Sequence, residues 1–373
     1  MESKQDERDS QSDPFGDRPM MRRCLELAQQ ARGKTAPNPM VGAVVVKEGQ
    51  IVGEGFHPQA GQPHAEVFAL REAGAQAAGA TVYVNLEPCS HYGRTPPCAD
   101  ALIAAGVARV VVGMVDPNPQ VAGRGLEKLR AAGIAVTVGV EEAACQALNE
   151  PFVYRITHQK PLGILKYAMT LDGKIATTTG HSAWVTSPAS RQVVHKLRAG
   201  CDAIIVGGNT VRRDNPLLTS HGHGHNPLRV VMSRRLDLPA EAKLWQTDEA
   251  PTVVFTQTGA SPGFQQHLQK LGVDVIELPD LTPAAVMANL YTRGAMAVLW
   301  ECGGTLAARA IADGAIQKVL AFIAPKLIGG AAAPSPIGDL GLTLMTEAIA
   351  LHRVQWRAIG QDLLVEGYLR GRE

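Results

Sequence analysis

At 373 residues the chain is long enough for two or three domains, and 45% hydrophobic against 19% charged residues gives ample material for packed cores. Lys and Arg number 36 against 35 Asp and Glu, a net charge of +1 that argues against a protein living on phosphate backbones. No apolar run reaches the roughly 20 residues that span a bilayer, so a membrane partner is excluded as well.

Residues 1–17 are polar, highly charged and without periodicity, which predicts a disordered tail. They lack the apolar segment of a signal peptide, so a cytoplasmic location is expected. A helix is predicted around Met20–Arg32, ended by Gly33. The β-rich runs Val41–Val46 and Ile51–Phe56 flank a turn with Gly49, a hairpin signal. There follow a helix over His64–Ala73, a strand over Thr81–Leu86, a helix over Pro97–Ala105, a strand over Arg109–Val115, a helix over Leu126–Ala132 and a strand over Ala135–Val138. Strands alternating with helices predict a three-layer α/β/α sandwich. After about Glu150 the pattern restarts, with strands at Leu162–Met169, Asp202–Val206, Leu228–Met232, Thr252–Phe255 and Val298–Trp300, a helix over Pro188–Arg198 and further helices between. The end alternates around Gly360 like a closing hairpin. With the boundary in the window 145–160, the reading assigns a tail to residues 1–17, one α/β domain to 18–148 and an unlike one to 149–373.

Of six cysteines, Cys24, Cys145, Cys201 and Cys302 sit in apolar or helical surroundings and read as small buried hydrophobes. Cys89 and Cys98 differ. His64-Ala65-Glu66 opens a helix after Pro63, and EPCSHYGRTPPC follows, with Cys89 ending a strand and loop and Cys98 opening another helix. One His and two Cys supply three ligands of a tetrahedral Zn²⁺ and leave the fourth position to water, the mark of a catalytic zinc. Zinc lowers the pKa of bound water towards about 7. Glu66 is then the proton shuttle, taking the water proton and returning it to a departing amine. A lone HAE would be no more than a capped helix; the joint spacing carries the assignment. H-x-E followed by P-C and a second Cys resembles the zinc nucleobase deaminases, in which the Glu is not a ligand. Their usual P-C-x-x-C is lengthened here, and the insert carries His91, Arg94 and Thr95, suited to a polar or phosphorylated substrate. His91 is assigned to substrate contact rather than to the metal.

PNPMVGAVVV, HAE and EPCSHYGRTPPC together resemble the bifunctional riboflavin biosynthesis proteins of the RibD family, in which a pyrimidine deaminase precedes a reductase. The resemblance implies a substrate, 2,5-diamino-6-ribosylamino-4(3H)-pyrimidinone 5′-phosphate, with Asn38 lining the pyrimidine pocket and Arg94 near the ribose phosphate.

The second half has no G-x-G-x-x-G after a strand, so a dinucleotide-binding crossover of that kind is not indicated. AVLWECGGTLAARAI instead reads strand, Gly-Gly turn, helix start, where Gly303, Gly304 and Thr305 let backbone N–H groups approach a phosphate. KYAMTLDGKIATTTGHSAWVTS, LRAGCDAIIVGGNTVRRDNPLLT and WECGGTLAARA are similar to the reductase half of the same family, related in fold to dihydrofolate reductase. That resemblance implies NADPH contacts at Ala168, Trp184, Thr210, Asp214, Ser233 and the 303–309 loop. It implies substrate contacts at Ser182, Arg198, Leu217 and Glu301, with Lys166 beside them; Lys166 and Asp214 are candidates for handling protons. It also implies a homodimer or higher homo-oligomer formed through the reductase half. Family members usually carry Arg soon after the L-T of DNPLLT, where this chain has Ser220 and His221. Protonated His221 is expected to replace part of that charge, with affinity for a phosphorylated substrate weakening above about pH 7. The HGHGH run has two other readings, a metal-binding run or, more often for such sequences, a flexible exposed loop.

Two alternatives stand beside this reading. A nucleic-acid base deaminase is opposed by the neutral charge and the long Cys-to-Cys spacing. A deaminase whose C-terminal half is a nucleotide-binding or dimerisation module without reductase activity is supported by the missing Arg.

Overall fold

The computed structural model describes residues 16–91, 96–119 and 121–369. The chain divides into two compact units, residues 1–157 and 158–373. The second unit begins nine residues beyond the expected start of the second domain. Most of the tail expected over 1–17 lies outside the described residues. Asp17, however, is no tail residue: it opens the first helix and accepts two bonds from Arg109, at 2.8 and 2.7 Å.

The first unit runs α1 (Asp17–Gln29), β1 (Gly42–Lys47), β2 (Gln50–Phe56), α2 (Ala65–Ala73), β3 (Thr81–Val84), α3 (Cys98–Ala104), β4 (Arg109–Val112), α4 (Arg124–Ala131), β5 (Ala135–Val138), α5 (Glu142–Leu148) and α6 (Glu150–His158). Its sheet has the order β2-β1-β3-β4-β5; β1 is antiparallel to both neighbours, and β3, β4 and β5 are parallel. The near-continuous apolar run of β1 fits a central strand covered on both faces. Helix α1 buries Met20, Met21, Cys24, Leu25, Leu27 and Ala28, one stripe at helical spacing. It packs so closely that a Cβ on Gly42 would lie 2.1 Å from the Cys24 carbonyl oxygen. On the opposite face α2 lays Ala65, Ala69 and Ala73 over β2, where a Cβ on Gly55 would stand 2.5 Å from the Ala65 oxygen. Small residues on both sides thus let the helix that carries His64 and Glu66 sit directly on the sheet.

The second unit runs β6 (Leu162–Thr170), α7 (Pro188–Ala199), β7 (Ala203–Gly207), α8 (Gly208–Asp214), β8 (Leu228–Met232), β9 (Thr252–Gln257), α9 (Pro262–Lys270), β10 (Asp274–Leu278), α10 (Pro283–Thr292), β11 (Ala297–Trp300), α11 (Gly304–Ala312), β12 (Lys318–Ala324), β13 (Leu351–Ile359) and β14 (Asp362–Leu369). They form a nine-stranded sheet of order β10-β9-β8-β7-β11-β6-β12-β14-β13. Pairing is parallel from β10 to β12, and the C-terminal hairpin adds antiparallel at the edge. A core of Leu165, Ile205, Val230, Phe255, Val298 and Trp300 joins the central strands to their covering helices. Helix α7 starts at Pro188 behind the Ser187 cap. Buried Asp362, from the hairpin, accepts from Ser187 N at 2.8 Å and Ser190 Oγ at 2.6 Å, fixing where that helix begins.

Candidate active sites

In the first unit the metal-ligating atoms of His64, Cys89 and Cys98 lie within 4.8 Å of one another, the one such group among the described residues. His64 is the N-cap residue of α2 and Cys98 the first residue of α3, so two helix N-termini meet at the site. The Cys98 backbone N–H donates to Cys89 Sγ at 3.3 Å, and His64 Nδ1 stands 3.6 and 3.3 Å from the two sulfurs. The Cys89 thiol is brought down to about 4, first by the hydrogen bond from the Cys98 thiol, and then by His64 and the Cys98 N–H against the opposing effect of burial. Cys98 is pushed up by that same bond and by burial, so it keeps the proton. One imidazole with two sulfurs, already sharing a thiolate, fits a tetrahedral divalent ion with one position open.

Glu66 is buried in the first turn of α2, and among the described residues its Oε2 has no hydrogen-bond partner. Burial raises its pKa, helped by the Cys89 charge. Asn38 Nδ2 lies 3.1 Å from His57 Nε2, while His57 Nδ1 lies 3.0 Å from the Pro63 carbonyl. Because that carbonyl can only accept, Nδ1 carries the proton and Nε2 accepts from Asn38, which leaves the Asn38 Oδ1 acceptor out of the His57 contact. Burial lowers the His57 pKa, in keeping with a neutral ring. His57 was not singled out in the sequence, and neither was Glu87. The buried Glu87 carboxylate accepts from the N–H groups of Asp116, Gly123 and Gly125 at 3.2, 3.0 and 2.9 Å, anchoring the Cys89 loop to the start of α4. His91 is exposed and outside the metal group; Arg94 lies outside the described residues.

The second unit carries two clefts, of about 720 and 500 Å³. Both are lined by Ile175, Ser182, Thr210, Asp214 and Gly303, so they are continuous. Ser233, Gly304 and Thr305 line the larger one, with arginines 212, 213, 234, 235 and 309. Lys166, Ala168, Trp184, Arg198 and Glu301 line the smaller. Gly303 has nothing within 4 Å of where its Cβ would be, so backbone there is open to a ligand. Glu301 joins Arg198 through two bonds of 2.6 and 3.1 Å, and Lys166 Nζ lies 3.4 Å away. Ser182 Oγ donates to Asp214 Oδ1 at 3.1 Å.

Two expected residues lie off these clefts. The Leu217 carbonyl accepts from Arg229, a buried side chain that also braces Gln246 and Ala250. His221 stacks on His195, with ring centroids 4.2 Å apart. Burial, then Arg198 and His223, lower the His221 pKa, which disfavours the imidazolium in the free protein. HGHGH is an exposed loop whose two ends are tied together. Ser220, fully buried, places its hydroxyl 2.9 Å from both the Gly224 oxygen and Asn226 Oδ1, and Asn226 Nδ2 donates to the Glu249 carbonyl.

Residues 16–114 match the cytidine and deoxycytidylate deaminase zinc-binding region, and residues 161–365 match the RibD C-terminal domain. A riboflavin biosynthesis protein RibD from Synechocystis is 63% identical over 360 residues, covering 96% of this chain and 98% of its own. The chain belongs to the RibD family. The solved structure of Acinetobacter baumannii RibD is similar with a TM-score of 0.85 at 39% identity, over 95% of this chain and 99% of that one. A Thermotoga maritima diaminohydroxyphosphoribosylaminopyrimidine deaminase/5-amino-6-(5-phosphoribosylamino)uracil reductase gives 0.83 at 37% identity, over 95% and 98%. This RibD-family chain is therefore a bifunctional enzyme of riboflavin biosynthesis, with a zinc-dependent deaminase and an NADPH-dependent reductase in one polypeptide. Among the described residues no helix is long and apolar enough to cross a membrane.

Proposed function

We propose that the first unit hydrolytically deaminates 2,5-diamino-6-ribosylamino-4(3H)-pyrimidinone 5′-phosphate and that the second reduces the ribosyl group of the product to ribityl with NADPH. The observation that carries this reading is the convergence of His64, Cys89 and Cys98 beside a buried Glu66 oxygen without a partner. His64, Cys89 and Cys98 hold the ion; when bound, it makes hydroxide available near neutral pH. Glu66, its pKa raised by burial, holds the proton taken from water and passes it to the leaving amine. Asn38 Oδ1, turned to the ligand by His57, accepts from an N–H of the pyrimidine. His91 and Arg94 are assigned to the substrate's polar tail.

In the second unit the open backbone of Gly303 to Thr305 would hold the phosphates of the dinucleotide, which would supply the hydride. Ala168, Trp184, Thr210, Asp214 and Ser233 complete its contacts. Ser182, Arg198 and Glu301 orient the substrate, with Leu217 and His221 behind them, while Lys166 and Asp214 hold or move the proton that goes to the heteroatom bonded to the reduced carbon. Self-association through this unit is supported by exposed apolar side chains near the C-terminal hairpin, Leu344, Met345 and Trp356 at 62%, 88% and 71% exposure. A plant relative 45% identical bears a chloroplastic name, so compartment differs within the family.

A two-variant assay tests the assignment. Glu66→Ala is expected to abolish deamination and leave NADPH oxidation on supplied deaminated intermediate intact; Asp214→Ala is expected to do the reverse. Loss of both activities in either variant contradicts two independent sites. Sedimentation of the full chain tests the self-association, which a monomer at micromolar concentration refutes.

A further inference from the structure

The segment that carries Asn38 has no ladder to hold it. Residues 39–41 lie in neither helix nor strand, and Pro37 and Pro39 bring no backbone N–H. Buried backbone groups in such a stretch need partners from side chains or water. Two buried amides supply them here. Asn149 Oδ1 accepts from the Met40 N–H at 2.8 Å, and Asn149 Nδ2 donates to the Met40 carbonyl at 3.0 Å. Asn85 Nδ2 donates to the same carbonyl at 3.0 Å, while its Oδ1 accepts from the Gly42 N–H at 2.8 Å. Asn149 is 2% exposed and Asn85 0%, so water does not compete for these bonds. Both acceptor positions of the Met40 oxygen are used, and its N–H as well.

Asn149 comes from far along the chain. It lies beyond residues 16–114, which match the zinc-binding region, and at the expected start of the second domain, yet it belongs to the first unit. Its own N–H closes α5 on the Cys145 carbonyl at 3.2 Å, and its carbonyl accepts from the Val153 N–H at 2.9 Å as α6 begins. The side chain therefore starts from a backbone fixed by two helices. From Met40 the constraint reaches the site through one residue. Pro39 has a fixed φ, so a rotation or shift of Met40 moves Asn38 with it. On its other side the Asn38 N–H donates to the Thr35 carbonyl at 2.7 Å. Its side chain donates to His57, whose ring meets that of the metal-ligating His64 edge-on, with centroids 5.5 Å apart.

We propose that Asn149 is a positioning residue of the deaminase: through Met40 and Pro39 it sets where Asn38 meets the pyrimidine. The corner between α5 and α6 is then part of the substrate-binding apparatus. The proposal rests on the reading that Asn38 contacts the pyrimidine. The amide is what the place demands, because it offers one donor and one acceptor to one residue's backbone. Aspartate keeps the acceptor for the Met40 N–H but turns a second acceptor on the Met40 carbonyl. Alanine leaves the buried N–H without a partner. Either change frees Met40 to shift, and Asn38 moves off the position at which it binds.

The test is a double-mutant cycle on the full-length zinc enzyme with Asn149→Asp, Asn38→Ala and the pair. Deamination of 2,5-diamino-6-ribosylamino-4(3H)-pyrimidinone 5′-phosphate is followed, with zinc content and NADPH oxidation measured on the same preparations. Asn149→Asp is expected to raise KM about tenfold with kcat within about threefold, zinc content intact and NADPH oxidation unchanged. In the Asn38→Ala background the same change should raise KM by less than about twofold, because the contact it positions is already gone. A purely structural role lowers the active fraction and leaves KM alone, or gives losses that multiply; either result overturns the proposal. An unchanged KM in Asn38→Ala overturns the pyrimidine contact and the proposal with it. A raised KM there beside an unchanged KM in Asn149→Asp overturns the proposal alone. Asn149→Ala runs in parallel, in case the buried carboxylate prevents folding. If neither Asn149 variant retains zinc, Asn149 is a folding residue and the proposal falls.

Discussion

Replacing Glu301 by Gln tests whether the cleft is organised by charge or only by shape. Burial pushes the Glu301 carboxyl up, but the charges of Arg198 and then Lys166 outweigh it and bring the group from an ordinary 4.5 down to about 2. That difference corresponds to about 3 kcal/mol of preference for the ionised form in the folded protein. A second route gives a similar size, since removing one partner of a buried ion pair costs about 3–5 kcal/mol by stranding the other charge. The side chains of Glu301 and Arg198 are only 10% and 13% exposed, so solvent screens the pair weakly. All four tryptophans, Trp184, Trp245, Trp300 and Trp356, belong to the second unit, and tryptophan fluorescence in urea therefore follows that unit alone. Glu301→Gln is expected to lower its unfolding free energy by about 3 kcal/mol at pH 7. A carboxylate with a depressed folded pKa stabilises above its unfolded pKa and loses that effect as pH falls through the folded one. Wild type and variant should accordingly converge as pH drops from 4.5 towards about 2. A difference below about 1 kcal/mol, or one that does not shrink on acidification, would refute the charge argument.

Further outcomes follow from the first unit. Glu87→Ala strands three backbone N–H groups and is expected to cost about 2–4 kcal/mol, read from circular dichroism melts of the full chain, together with weaker zinc retention. Gly55→Ala puts a methyl 2.5 Å from the Ala65 carbonyl and must shift α2; deamination should fall by tenfold or more while NADPH oxidation is unchanged, and equal losses in both assays would count against it. Chelation should remove deamination and spare reduction. Because Cys98 is held protonated in the metal-free site, zinc binding must release its proton, so the apparent zinc affinity should drop as pH falls. A zinc affinity flat from about pH 8 to 6 would contradict that proton release.

The zinc site was legible because His64, Cys89 and Cys98 lie at strand and helix junctions marked by Pro63, Pro88 and Pro97, so spacing alone foretold their convergence. The alternating elements of the first unit were equally readable, since periodicity is a local property. Strands β10 and β12 were not placed. The first is a short, half-exposed edge, and the second is an apolar run that periodicity cannot separate from a buried helix. His57, Glu87, Arg229 and Asp362 escaped for another reason: most of their partners are backbone groups set by the fold, which carry no residue code. The neighbour of His221 was equally hidden: His195, 26 positions earlier, stacks on it, and no spacing rule connects the two.

Strand β6 sits in the middle of the nine-stranded sheet, yet both its neighbours are made late. Synthesis must continue for roughly 130 residues beyond Thr170 before β11 emerges to pair with it, and β12 follows later still. At ordinary translation rates that is a wait on the order of ten seconds. The first unit meanwhile can complete its own sheet from residues already in hand. The growing chain thus carries a finished domain followed by an apolar ribbon with both edges bare, the state in which strands seek wrong partners. Nascent chains halted before Ala297 should bind holdase chaperones, and those released after Ala324 should not.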